Sequence, residues 1–92
     1  MDLQELRKQI DKIDDQLVSL FVERMRIAAA IGYYKKEHGL PVSVPGREAE
    51  KLADVAEKSG LDMAPYTREL YSTLFALSRS YQESLSKKGD ET

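Results

Sequence analysis

Apolar side chains recur through the first third of this sequence in a heptad rhythm. One row runs Leu3, Ile10, Leu17, Arg24, Ile31, and its companion runs Leu6, Ile13, Leu20, Ile27, Tyr34. Such a pattern predicts a helix that buries the seam against other helices. Asp2 followed by Glu5 reads as a capping box, Gly39 as a C-terminal stop, and no proline intervenes before Pro41. A helix from about Leu3 to Glu37 is roughly 50 Å long at 1.5 Å per residue. A compact chain of this size has a diameter of only about 30 Å. The helix must project from any monomeric globule, and its seam needs cover along the whole length. The expectation is an intertwined homodimer.

The remaining pattern is also helical. Leu40-Pro41-Val42-Ser43-Val44-Pro45-Gly46 is the one loop-like segment, rich in proline and glycine. A short helix 2 is predicted over about 45–58, closed by Ser59-Gly60, with the sparse apolar positions Ala49, Leu52, Ala53, Val55 and Ala56. Helix 3 is predicted over about 63–86, capped by Asp62 and with Pro65 tolerable in its first turn. Tyr66, Leu70, Leu74, Leu77, Tyr81 and Leu85 share one of its faces. A frayed, charged tail over 87–92 completes the expectation. The fold class predicted is all-α, three helices in a single domain over 1–92, assembled as a helical-bundle homodimer.

Composition narrows the function. Charged residues make up 33% of the chain and hydrophobic ones 41%, with a net charge of −2. There is no surplus of Lys and Arg to neutralise phosphates, which argues against nucleic acid or an anionic membrane as partner. The absence of cysteine excludes disulfides, thiolate chemistry and Cys-based zinc sites. No apolar run approaches the ~20 residues of a membrane span. The opening Met1-Asp2-Leu3-Gln4-Glu5 lacks the basic and apolar regions of a signal peptide, so a complete cytoplasmic chain is expected.

The candidate chemistry lies where polar groups break the apolar pattern. Arg24 occupies a seam position, and an unpaired buried guanidinium is costly, so it should face an anion or a carboxylate. Lys35 follows eleven residues later, close to three turns on, pointing to the same side roughly 16 Å along the axis. Together the two can hold a small dianion. Arg7 lies about 25 Å from Arg24 on the same helix, but in an antiparallel dimer it approaches the partner's Arg24 and Lys35. On helix 3, Ser78 and Gln82 stand one turn apart, continuing an apolar stripe of Tyr71 and Phe75. Glu48, in the first turn of helix 2, offers one acceptor.

Each residue taken alone also fits an ordinary role. Arg7 fits an i, i+4 pair with Asp11, Lys35 fits the helix dipole, and Arg24 fits a structural pair with a buried glutamate. Ser78 and Gln82 fit a polar helix face, and Glu48 fits a positive helix N-terminus. His38 is expected to be exposed and without a role. No metal-ligand spacing, nucleophile motif or glycine-rich phosphate loop is present, so no metal or cofactor is expected.

Taken together, these residues resemble the small all-α class of chorismate mutases. Leu6-Arg7-Lys8-Gln9-Ile10-Asp11-Lys12-Ile13-Asp14 is similar to the family's opening LR..ID.ID..L pattern. Glu23-Arg24, Ile31-Gly32-Tyr33-Tyr34-Lys35, Pro41-Val42 and Arg47-Glu48 follow in the family's order, and Ser78 with Gln82 fits the helix 3 site pair. The resemblance implies rearrangement of chorismate to prephenate, the committed step toward phenylalanine and tyrosine. It implies that Arg7 of the partner chain and Arg24 bind the two carboxylates, with Ser78 helping to hold one. It further implies that Lys35 and Gln82 bond the ether oxygen, that Glu48 accepts from the ring hydroxyl, and that Arg47 sits at the edge. One position departs: four residues before Glu48, where the family commonly carries an acidic residue, stands Val44. That removes a polar contact and the usual N-cap of helix 2, which Ser43 is positioned to replace. Two other readings remain open: an isochorismate-pyruvate lyase, against which Glu48 speaks, and a catalytically silent helical dimer that binds a partner enzyme or an aromatic regulator.

Overall fold

The computed structural model describes residues 1–42 and 44–90, with side chains throughout except at 88–90. The described residues form three α-helices: α1 over Leu3–Glu37, α2 over Pro45–Ser59 and α3 over Ala64–Asp90. The all-α fold is as the periodicity predicts, and among the described residues there is no strand.

Local chemistry sets the helix ends. Asp2 caps α1, its Oδ1 accepting from the Glu5 backbone N–H at 2.9 Å. At the other end Gly39 takes a left-handed φ of 64°. This lets Leu40 N–H reach the Lys35 carbonyl at 2.8 Å and Gly39 N–H reach that of Lys36 at 3.4 Å. The paired bonds form a Schellman motif, which satisfies carbonyls that the helix end would otherwise orphan. Helix α2 starts with Pro45 in its first turn and Val44 at the N-cap, without a side-chain capping bond among the described residues. The suggestion that Ser43 caps this helix falls outside the described residues. Gly60, at φ 85°, closes α2.

Helix α3 differs from expectation at both ends. It begins at Ala64, so Asp62 belongs to the preceding turn, and the helix continues through 87–90, part of the segment expected to fray.

Helix α3 is the central element, packing against both α1 and α2, which do not pack on each other among the described residues. The chain measures 54 × 29 × 14 Å, with a radius of gyration of 16.6 Å, against about 12 Å for a compact domain of this length. Its buried apolar side chains, among the described residues, are all small or medium: Ala28, Val55, Ala56 and Ala64. Within one chain the heptad seam is left uncovered, with Ile13, Leu17 and Leu20 more than half exposed. Covering each such half-exposed side chain would contribute about 1 kcal/mol.

Candidate functional site

The C-terminal half of α1 meets α3 closely because of one glycine. A Cβ at Gly32 would lie 3.0 Å from Gln82 Cγ, tighter than ordinary van der Waals contact. Glycine inside a helix costs roughly 0.5–1 kcal/mol relative to alanine, and here it brings the two backbones together. Gln82 uses the approach: its Nε2 donates to the Ala28 carbonyl at 2.7 Å. A carbonyl can only accept, so this bond fixes which end of the amide faces α1. It leaves the second N–H and the Oε1 of Gln82 for another partner.

One, two and three turns before Gln82 on α3, Ser78 and the rings of Phe75 and Tyr71 receive Arg24. Arg24 Nη1 donates to Ser78 Oγ at 2.8 Å. Its guanidinium carbon lies 5.8 Å from the Phe75 ring centroid and 6.0 Å from that of Tyr71, within reach of a cation–π attraction. The two rings meet edge to face, 6.1 Å apart. Arg24 is half-buried, and among the described residues no carboxylate pairs with it. The structural reading of a seam arginine held by a glutamate of its own chain therefore does not apply. The charge is held by a hydroxyl and two ring faces, and among the described residues most of its donors have no partner.

These groups open onto a cavity of about 490 Å³ between the helices. Arg24, Lys35, Arg47, Glu48, Ser78 and Gln82 all line it, with Ile27, Ala28, Ile31, Val42, Val44 and Phe75 as its apolar surface. Lys35 Nζ is tied to the Val42 carbonyl at 3.1 Å, which draws the loop over one end. Arg7 does not line the cavity, as its distance along α1 predicts for a single chain.

The sequence reading missed Arg79. It lines the same cavity and forms an ion pair and hydrogen bond with Glu48, through Nη1 and Oε1. Glu48 is therefore a paired carboxylate rather than the free acceptor that its position suggests. Position 79 adjoins Ser78 and precedes Gln82 by less than a turn, a neighbourhood that could have flagged it. Its partner lies on another helix, which no periodicity reveals.

Electrostatically the cavity opposes the chain that builds it. Among the described residues four cationic side chains and one carboxylate line it, whereas the whole chain carries −2. Cations focused in a concave, partly apolar site favour a compact anion with more than one negative charge. Among the described residues no cluster of His, Cys, Asp or Glu is placed to hold a metal ion. None of the helices there is long and apolar enough to cross a membrane.

Comparison with known proteins extends this picture. Residues 6–83 match the family model for chorismate mutase type II. The bifunctional chorismate mutase/prephenate dehydratase of Aquifex aeolicus is 38% identical over 88 residues, covering 92% of this chain and 22% of that protein. The T-protein of Haemophilus influenzae is 39% identical over 62 residues, covering 64% of this chain and 16% of that protein. The chain thus spans less than a quarter of either relative's length. A solved structure, a conserved hypothetical protein from Pyrococcus furiosus, is 40% identical with a TM-score of 0.73, over 87% of this chain and 93% of that one.

Proposed function

The chain belongs to the type II chorismate mutase family, and we propose that it rearranges chorismate to prephenate as an intertwined homodimer. The observation that carries this reading is the state of Arg24. It is half-buried and, among the described residues, bonded only to the Ser78 hydroxyl and two ring faces, in a cavity with a net excess of positive charge. Chorismate is a dianion with a flexible enolpyruvyl arm, which suits that cavity in charge and size.

The rearrangement breaks the ether C–O bond as a new C–C bond forms, within one molecule. Its atoms and electrons balance without a nucleophile, a cofactor or a metal. The protein's task is to hold the arm folded over the ring, which lowers the entropic part of the barrier. It must also stabilise the negative charge that grows on the ether oxygen. Arg24 and Ser78 hold one carboxylate, and Arg7 of the second copy supplies the cation for the other. Lys35 and the free N–H of Gln82 serve the ether oxygen, one as a full charge and the other as a neutral donor. Glu48 accepts from the ring hydroxyl, and Arg47 stands at the cavity's edge.

The exposed seam of α1 and an apolar cavity of about 430 Å³ lined by Leu17, Val18, Leu20, Phe21, Leu70, Tyr71 and Leu74 support the dimer. Arg24 borders this cavity as well as the polar one, so a second copy seated there comes within reach of the substrate. The reading includes a single domain over residues 1–92 and a cytoplasmic location.

The deciding experiment follows the loss of chorismate absorbance with purified protein and identifies the product by acid conversion to phenylpyruvate. Prephenate is the expected product. Salicylate and pyruvate from isochorismate, with no prephenate from chorismate, would replace this reading with that of a lyase.

A further inference from the structure

The rearrangement does not itself require the Glu48–Arg79 pair, which joins the start of α2 to α3 inside the cavity. Both side chains are about one-third exposed, at 29% for Glu48 and 34% for Arg79. Of the loop beside them, the described residues that reach the wall are Val42 and Val44. On the substrate, the two carboxylates and the ether oxygen can only accept hydrogen bonds, and the ring hydroxyl is the one donor. Glu48 is the one carboxylate lining the cavity among the described residues. The hydroxyl is thereby directed to the Glu48–Arg79 end.

We infer that Arg79 determines specificity at this end, tuning the cavity to a neutral hydroxyl and against an amine at the same ring position. The inference rests on the mutase reading above. Arg79 binds Glu48 through Oε1, which leaves Oε2 to accept from the hydroxyl. The hydroxyl oxygen can in turn accept from a guanidinium N–H, so a group that both donates and accepts satisfies both partners. An aliphatic amine is protonated near neutral pH and has no lone pair to offer. It meets a carboxylate whose charge is already matched and a guanidinium of like sign. Selectivity of this kind comes from the repulsive partner as much as from the attractive one. Without Arg79, Glu48 would be a bare carboxylate facing the ring, a strong partner for an ammonium.

The test compares kcat/KM for chorismate and for its analogue with an amino group in place of the ring hydroxyl, in the full-length wild type, Arg79→Leu and Arg79→Lys. The wild type should prefer chorismate. Arg79→Leu should move the ratio toward the amine by about tenfold or more, as expected when a like charge is withdrawn. Arg79→Lys, which keeps the charge, should retain the wild-type preference. Arg79→Gln serves as a second neutral variant if the leucine one is poorly folded. Equilibrium binding of the two compounds by calorimetry gives the same comparison where turnover is slow. An unchanged ratio in both neutral variants, with chorismate still turned over, overturns the inference and leaves the mutase reading standing. Failure of the folded wild type to rearrange either compound overturns both.

Discussion

Gln82 Cγ lies so near Gly32 that an added methyl group would sit 3.0 Å away, and the same Gln82 is bonded to Ala28 one turn earlier on α1. The close approach and the hydrogen bond are one arrangement. Glycine admits the side chain, and the Ala28 carbonyl orients its amide. Gly32→Ala should remain folded, since alanine improves helix propensity by up to about 1 kcal/mol, an offset to the contact it crowds. The crowded atom is a methylene near the α3 backbone, so Gln82 must swing or the helices part. We expect kcat to fall about tenfold, in line with the sensitivity of catalysis to small misplacements, with KM much less affected. Steady-state kinetics beside a thermal melt separate this from simple destabilisation.

Arg24→Leu should pull stability and activity in opposite directions. Leucine completes the apolar seam, so the melting temperature should hold or rise. Activity should drop by on the order of 10²–10³-fold or more, the scale of losing a preorganised charge-stabilising donor. A variant that kept wild-type turnover would show that the guanidinium serves packing alone.

Gln82→Glu should make the rate depend on pH. A neutral amide donates to the ether oxygen at any pH, whereas a carboxyl group donates only when protonated. The variant should be active in acid and lose turnover as pH rises, while the wild type stays active at neutral pH. Undiminished turnover of the variant at pH 8 would remove Gln82 from the ether oxygen.

Replacing Leu17 or Leu20 with glutamate places a charge in the apolar cavity along α1. Light scattering should then report a shift from dimer toward monomer, and activity should fall with the dimer fraction. Wild-type protein running as a monomer at working concentration would contradict the assembly proposed.

Sharing of sites between copies has its own signature. Arg7→Ala and Arg24→Leu homodimers should each be nearly inactive. Co-refolded together, they form mixed dimers in which one site draws both arginines intact, so about a quarter of wild-type activity should return from random pairing of a two-fold dimer. No recovery would mean that Arg7 and Arg24 act within one chain, and an active Arg7→Ala homodimer would mean that Arg7 has no part in the site.

The fold was legible because each helix is specified locally. The Asp2 cap and the Gly39 stop act over a few residues, and the bonds they make are present. The ends of α3 were read less well. Asp62 resembles a cap in sequence, but capping depends on backbone angles that residue type alone does not set. Arg24 was legible as an anomaly, because one charge in an apolar row stands out against the period.

The amino-acid sequence by itself determined three helices, an α1 too long to bury its own seam, and a cation placed where leucine belongs. These follow from periodicity and capping, which operate along one helix. Only the tertiary structure decided that Arg79 reaches Glu48, that Gln82 bonds Ala28 beside Gly32, and that Arg24 bonds Ser78 within 6.0 Å of two ring centroids. Each of those contacts joins two helices, and its existence turns on an ångström or two of helix placement. That placement is set by the packing of all the side chains together, which no single stretch of sequence encodes.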